Sequence, residues 1–235
     1  MKALDLFCCC GGAAVGLNNA GFEVTGVDIT DNHEYPYEFI HKNVFDLDID
    51  FMKEFDLIWA SPPCQFYIPT NKRHAGKHPD LLPATREFLK LTGKPYIIEN
   101  VPGAPIRKDV RLCGEMFGLR VVRHRLFEIE GFTVLQPPHQ KHKLSVMNGT
   151  AVACYSGGIN PGFWGDKEKQ QEFRKKRKAS YYAQVAGHGG DSYSFKIDDW
   201  KNAMGVHHIN RREHLTQAVP PKYSEYLARF FSNKK

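Results

Sequence analysis

No stretch of this chain approaches the ~20 apolar residues that a membrane-spanning helix needs. That excludes a helical membrane anchor from the expectation. The opening Met1-Lys2-Ala3-Leu4-Asp5-Leu6-Phe7 reads as a first strand and not as a signal peptide. Cysteine is present but unpaired in pattern: Cys8, Cys9 and Cys10 are adjacent, and Cys64, Cys113 and Cys154 lie far apart. No CxxC pair occurs, and His33, His41, His74, His78 and His124 show no ligand spacing, so the expectation is no metal. Reduced thiols in a cytoplasmic setting are the simplest reading. There is no internal repeat and no clean GxGxxG, which argues against a pyrophosphate-binding Rossmann loop.

What is present fits a folded chain of one sizeable core and a modest appendage. The 235 residues are 42% hydrophobic and 25% charged, with a formal net charge of +6. A positive balance agrees with a polyanionic partner without proving one. From Lys167 to Lys178 there are seven Lys or Arg against two Glu. A solvated helix face and a phosphate-contacting surface account for that run equally well.

The first 130 residues alternate strand-like and helix-like segments. Lys2–Phe7, Glu23–Val27, a short Phe39–Val44, Phe55–Ala60 and Pro95–Ile98 read as strands. Ala13–Ala20, ended by Gly21, and Leu81–Thr92, stopped by Gly93, read as helices. This rhythm predicts an α/β fold with a doubly wound, mostly parallel sheet. Beyond residue 130, proline, glycine, histidine and basic residues dominate to about Asp199. Helices are expected again at Arg211–Thr216 and Tyr223–Phe231, separated by Pro220-Pro221.

Two groups of residues carry chemistry. Gly11 and Gly12 lie between the first strand and helix, where backbone amides can approach a ligand. Gly16, inside that helix, permits a neighbour to come close. Asp28 ends the second strand and suits ribose hydroxyls. Asp46 suits an adenine amine or a turn equally. Asp5 either shapes this pocket or satisfies loop amides as a buried residue. An adenosine moiety without pyrophosphate fits such a loop. The second group follows Phe55–Ala60, where Ser61-Pro62-Pro63 must break the strand. Cys64 and Glu99-Asn100 then stand at the carboxyl ends of two parallel strands, where open α/β sheets bind ligands. A thiolate is a strong nucleophile, and a nearby acid can protonate a ring nitrogen as the thiolate adds.

At these residues the sequence resembles the DNA cytosine-5 methyltransferases, especially short, phage-like members. Asp5-Leu6-Phe7-Cys8-Cys9-Cys10-Gly11-Gly12 is similar to the family's S-adenosylmethionine loop. Ser61-Pro62-Pro63-Cys64-Gln65 resembles the catalytic loop, Glu99-Asn100-Val101 the Glu-Asn-Val, Arg123-His124-Arg125 the Arg-x-Arg, and Gln217-Ala218-Val219-Pro220-Pro221 the last motif. The resemblance implies a Rossmann-like class I methyltransferase fold: a catalytic core over 1–130, a small irregular target-recognition region over 131–200, and a C-terminal segment, 201–235, returning to the core. It implies Cys64, Glu99 and Arg125 as catalytic residues. S-adenosyl-L-methionine would be held by Asp5, Phe7, Cys9, Gly11, Gly12, Asp28, Ile29, Asp46, Pro63, Gln217, Ala218 and Val219. Pro62, Gln65, Asn100, Val101 and Arg123 would serve the substrate. The implied partner is double-stranded DNA, with a flipped base, handled by a monomer in the cytoplasm, as for a phage protein acting in its bacterial host. A modified donor group, a nucleotide or RNA cytosine, and a weakly catalytic DNA-binding module are the alternatives. Four departures stand out: Cys9 where the family has glycine, Val121-Val122 before the arginines, Gln217 for asparagine, and Phe66-Tyr67-Ile68 after Pro-Cys-Gln.

Overall fold

Short apolar runs become the central strands of a seven-stranded sheet in a computed structural model that describes residues 1–67, 78–139, 142, 152–153 and 197–232. In chain order the sheet strands are β1 (Lys2–Leu6), β2 (Glu23–Asp28), β3 (Glu38–His41), β4 (Leu57–Ala60), β5 (Tyr96–Asn100), β6 (Val110–Leu112) and β8 (Arg125–Glu130). Their spatial order is β3-β2-β1-β4-β5-β8-β6. The first five pair in parallel, while β8 runs antiparallel to both β5 and β6. Every residue of β4 and of β5 is buried, as expected of strands covered on both faces.

Alternate residues along the strands define those faces. Leu4, Leu6, Ile58, Ala60 and Ile98 pack with Met52 of α2 (Ile49–Met52) and with Leu82 and Leu89 of α3 (Leu82–Thr92). On the opposite face Trp59 packs on Phe127, and Phe127 packs on Tyr223 of the last helix. That face carries α1 (Gly12–Asn19) and the last helix, α6 (Pro221–Ser232). The two helices meet closely because Gly16 has no side chain. A Cβ there would lie 2.7 Å from the backbone nitrogen of Glu225, with the Pro221 carbonyl and the Ser224 hydroxyl nearer still. Ser224 Oγ donates to the Ala13 carbonyl at 2.7 Å.

The chain divides into two compact units. The first comprises Met1–Leu112, His124–Pro137 and Ala218–Lys235; the second comprises Cys113–Arg123 and Pro138–Gln217. Against expected bounds of 131 and 200, the second unit takes in an early segment containing β7 (Val121–Val122), which pairs in parallel with β9 (Val152–Ala153). It also contains α4 (Ile197–Met204) and α5 (Arg212–Gln217). Trp200 is fully buried there, with the Arg212 guanidinium 4.9 Å above its ring. Pro220-Pro221 does separate the last two helices, but Pro221 opens α6, because a proline at a first helical position gives up no hydrogen bond. The basic run at 167–178, the glycine pairs at 157–158 and 187–190, Cys154 and His74 lie outside the described residues. Among the described residues, no helix is long and apolar enough to cross a membrane.

Candidate active site

β1 ends beneath the glycine loop, and Asp5 is its only acidic residue. The carboxyl is 1% exposed, and Tyr35 donates to its Oδ2 at 3.5 Å. Oδ1 has no hydrogen-bond partner among the described residues. Burial, and then the charge of Asp28, push the Asp5 carboxyl well above the ordinary carboxylate range. Tyr35 was not legible as a site residue. Its ring stands where side chains at Gly11 and Gly26 would otherwise point.

Next along the loop, Phe7 and Cys9 adopt left-handed φ angles of 56° and 47°, and Gly11 one of 77°. Cys9 thus takes a glycine-like backbone conformation at a position where the resembled family has glycine. Its amide donates to Asp28 Oδ2 at 2.9 Å, and Thr30 N donates to Oδ1 at the same distance. Both carboxylate oxygens are therefore held in place at the end of β2. Ile29 beside it is 67% exposed, an apolar surface facing solvent at this rim. Phe7 packs edge-on against Phe45, 6.1 Å between centroids. Asp46 lies in a 3-10 turn (Val44–Asp46) whose first amide bonds are capped by Asn43.

The last motif comes back to this loop. A side chain on Gly12 would meet the Val219 carbonyl at 2.5 Å and the Ala218 Cβ at 3.2 Å. Gly12 is therefore needed for a backbone approach, whether or not its φ is unusual. Ala218 and Val219 are both buried. Gln217 is the last residue of α5 in the second unit.

The second cluster forms at the ends of β4 and β5. The strands are adjacent and parallel, with Ala60 opposite Ile98, so Ser61–Gln65 and Glu99–Val101 emerge at one rim. Asn100 ties them together: its Nδ2 donates to the Pro62 carbonyl at 3.0 Å, and its Oδ1 accepts from Val101 N at 2.9 Å. Cys64 is half-buried and its carbonyl accepts from Tyr67 N at 2.9 Å, closing a 3-10 turn over Gln65–Tyr67. Pro63 and Gln65 are likewise half-buried in this segment. Tyr67 in turn hydrogen-bonds Asp80 through its hydroxyl, and Asp80 accepts from Leu82 N at the start of α3. Tyr67 and Asp80, described residues on either side of 68–77, are thereby joined.

Because β8 runs antiparallel, it begins where β5 ends, and this delivers Arg125 to the same rim. Arg125 Nε lies 2.7 Å from Glu99 Oε1, with the side chains 11% and 7% exposed. The N–H is not aimed along that line, and Oε1 makes no hydrogen bond among the described residues. A buried acid oxygen held beside a guanidinium, with a hydrogen bond still to make, is a ready partner for a polar ligand atom. Arg123, two residues earlier, is 1% exposed and belongs to the second unit, where Nη2 donates to the Thr216 carbonyl at 2.7 Å.

Solved methyltransferase structures share this architecture. The chain superposes over its full length on Dnmt2 methyltransferase of S. pombe, with TM-score 0.62, 13% identity and 99% of that chain covered. It also superposes on a putative DNA modification methyltransferase of E. coli encoded within a prophage (TM-score 0.58, 14% identity, 99% of each chain). These likenesses establish the class I methyltransferase fold. Residues 1–110 match the family model of C-5 cytosine-specific DNA methylases. The type II methyltransferase M.HgiGI of Herpetosiphon aurantiacus is 36% identical over 126 residues, which cover 46% of this chain and 96% of that protein. The chain belongs to the C-5 cytosine-specific DNA methyltransferases, enzymes that use S-adenosylmethionine to methylate cytosine in DNA. The residues present fit that donor: an unsatisfied buried carboxyl oxygen under the loop, a fixed carboxylate at Asp28, and a backbone cradle at Gly12 that any Cβ would fill.

Proposed function

We propose that methyl transfer proceeds through covalent activation of cytosine by Cys64. The observation carrying this reading is the convergence of Cys64, Glu99 and Arg125 on one rim, with Glu99 Oε1 still lacking a hydrogen bond. Bound S-adenosylmethionine supplies an electrophilic methyl group on a sulfonium. The Cys64 thiolate adds to carbon 6 of the base. Glu99 hydrogen-bonds or protonates ring nitrogen 3, so charge does not build up on the ring. Carbon 5 becomes nucleophilic and takes the methyl carbon, whose bond to the sulfonium sulfur breaks with the electron pair left on sulfur, so that S-adenosylhomocysteine is the leaving group. A base, such as water, then takes the carbon 5 proton, the electron pair reforms the 5,6 double bond, and the Cys64 thiolate leaves.

Arg125 holds Glu99 and faces the base. Asn100 and Pro62 shape the loop that presents Cys64, while Gln65 and Val101 flank the base. Arg123, fully buried on the Thr216 carbonyl, supports its own unit from within. Asp28 and Ile29 take the ribose and adenine of the donor, with Phe7, Asp46 and Pro63 around them. Asp5, Cys9, Gly11, Gly12, Ala218 and Val219 form the loop side. The substrate is double-stranded DNA, in which carbon 6 is reached only after the base leaves the stack. Base readout falls to the second unit, whose sequence carries the basic run Arg174–Lys178.

DNA containing 5-fluorocytosine tests this, because fluorine at carbon 5 cannot leave as a proton. A denaturation-resistant protein–DNA adduct should form only with S-adenosylmethionine and vanish in Cys64→Ala. Methylation of ordinary DNA without any such adduct on the same fluorinated sequence would refute the covalent route.

A further inference from the structure

The second unit opens on a cysteine whose sulfur is surrounded by donors. Cys113 is fully buried at the start of the 3-10 turn Gly114–Phe117. Burial raises the Cys113 thiol, and the backbone amides of Glu115, Arg123 and Gly114 oppose this only in part. The turn is also rigidly seated. Gly118 ends it at φ 69°, and a Cβ on Gly114 would run into the backbone of Val121.

Two histidines of the same unit arrive at this sulfur from its second chain segment. One ligand atom each from Cys113, His139 and His142 all lie within 4.8 Å of one another. The imidazole rings of His139 and His142 are 4.8 Å apart at 87°. In tetrahedral zinc coordination, sulfur and nitrogen bond lengths put neighbouring ligand atoms roughly 3.3–3.7 Å apart. Glu115, inside the same turn, takes a hydrogen bond from Nδ1 of His142. In the neutral imidazole this places the lone pair of His142 on Nε2 and orients the ring, the arrangement that carboxylates give to metal-bound histidines.

We propose that Cys113, His139 and His142 bind a zinc ion, with Glu115 as the positioning residue for His142. Mixed thiolate and imidazole donors select zinc over magnesium or calcium. Binding displaces the Cys113 thiol proton to solvent and gives one anionic and two neutral ligands. The ion joins the two segments of chain from which the second unit is built, at the start of each. His139 is exposed and the His142 side chain is 27% exposed, so an ion reaches the buried sulfur from the histidine side. The role is structural, since none of these residues is assigned to base or donor. The absence of CxxC, which argued against zinc, is bypassed because 25 residues separate Cys113 from His139 in sequence.

The test uses the full-length protein without a polyhistidine tag, incubated with zinc chloride, desalted, and measured by mass-spectrometric metal analysis. About one zinc per chain is expected. The His139→Asn/His142→Asn double variant, altered only at accessible side chains, should retain none while its circular dichroism is unchanged. Cobalt in place of zinc should give a thiolate-to-metal charge-transfer band that Cys113→Ser loses, and Glu115→Gln should weaken zinc retention by about 10–100-fold. Zinc retained by wild type no better than by a folded double variant overturns the site. So does cobalt binding without the thiolate band, which would remove Cys113 from it.

Discussion

Replacing Gly16 with alanine adds one methyl group where α1 meets α6, and the sign of its effect separates two accounts of the position. If Gly16 were an ordinary helical glycine, alanine would stabilise the protein by about 1 kcal/mol through helix propensity. The packing predicts the opposite. The new Cβ would stand 2.7 Å from Glu225 N and closer to the Pro221 carbonyl. Carbon–oxygen contacts need roughly 3.3 Å, so α6 must recede by more than half an ångström. Overpacking of this kind costs about 1–3 kcal/mol, and the Ser224–Ala13 hydrogen bond stretched with it contributes about 1 kcal/mol. After the propensity gain is subtracted, a net loss of about 1–3 kcal/mol remains. Movement of α6 also carries Val219 away from Gly12, so affinity for S-adenosylmethionine should fall along with stability. Urea denaturation and calorimetric titration of the donor measure both. A variant about 1 kcal/mol more stable than wild type, with unchanged donor affinity, would refute the close-approach argument.

Glu99→Gln should lower methylation by about 10²–10⁴-fold, the usual worth of a positioned acid, with DNA affinity by gel shift little altered. Cys9→Gly should leave stability within about 1 kcal/mol of wild type, because relief of the left-handed φ is offset by greater freedom of the unfolded chain. Cys9→Val should cost roughly 2 kcal/mol in the same urea assay; equal tolerance of both would contradict the backbone assignment. Glu128 is buried, which alone would raise its carboxyl, but the Arg86 fork at 2.8 Å and the Arg107 amide reverse this and hold it below its ordinary 4.5. Its contribution is therefore complete above pH 4.5 and is lost as pH falls through the lower folded-state value. Glu128→Gln should cost about 2 kcal/mol near neutrality, less than a fully buried pair because Arg86 keeps part of its side chain in water, and should flatten the acid limb of stability against pH. An acid limb as steep in the variant as in wild type would show that another group controls it.

The parallel half of the sheet was legible because each strand is covered on both faces and reads as an uninterrupted apolar run, as in Leu57-Ile58-Trp59-Ala60. Gly21 and Gly93 marked two helix ends by the left-handed angles they adopt, 91° and 63°. The antiparallel strands were not separable in this way. Val110–Leu112 is three residues long, and Arg125–Glu130 carries three charged residues, one of which, Glu128, is paired by Arg86 from a distant part of the sequence. Arg125 was found by its motif, but its route to Glu99 follows only from the reversal of β8. Tyr35 was invisible because its partners, Asp5, Gly11 and Gly26, come from three separate elements. The α4 helix was hidden in a region weighed by its glycine and proline content, although Trp200 and Met204 stand one helical turn apart and are both buried.

The contact between Ala13 and Ser224 spans 211 residues of sequence. The glycine loop leaves the ribosome first, whereas its back wall at Ala218 and Val219 emerges only after the whole second unit has been made. A nascent chain thus carries both the loop and Cys64 long before Ala218 and Val219 can close against Gly12. On the proposed donor site, a product truncated before Ala218 keeps Cys64 but lacks that wall, and it is expected not to methylate DNA.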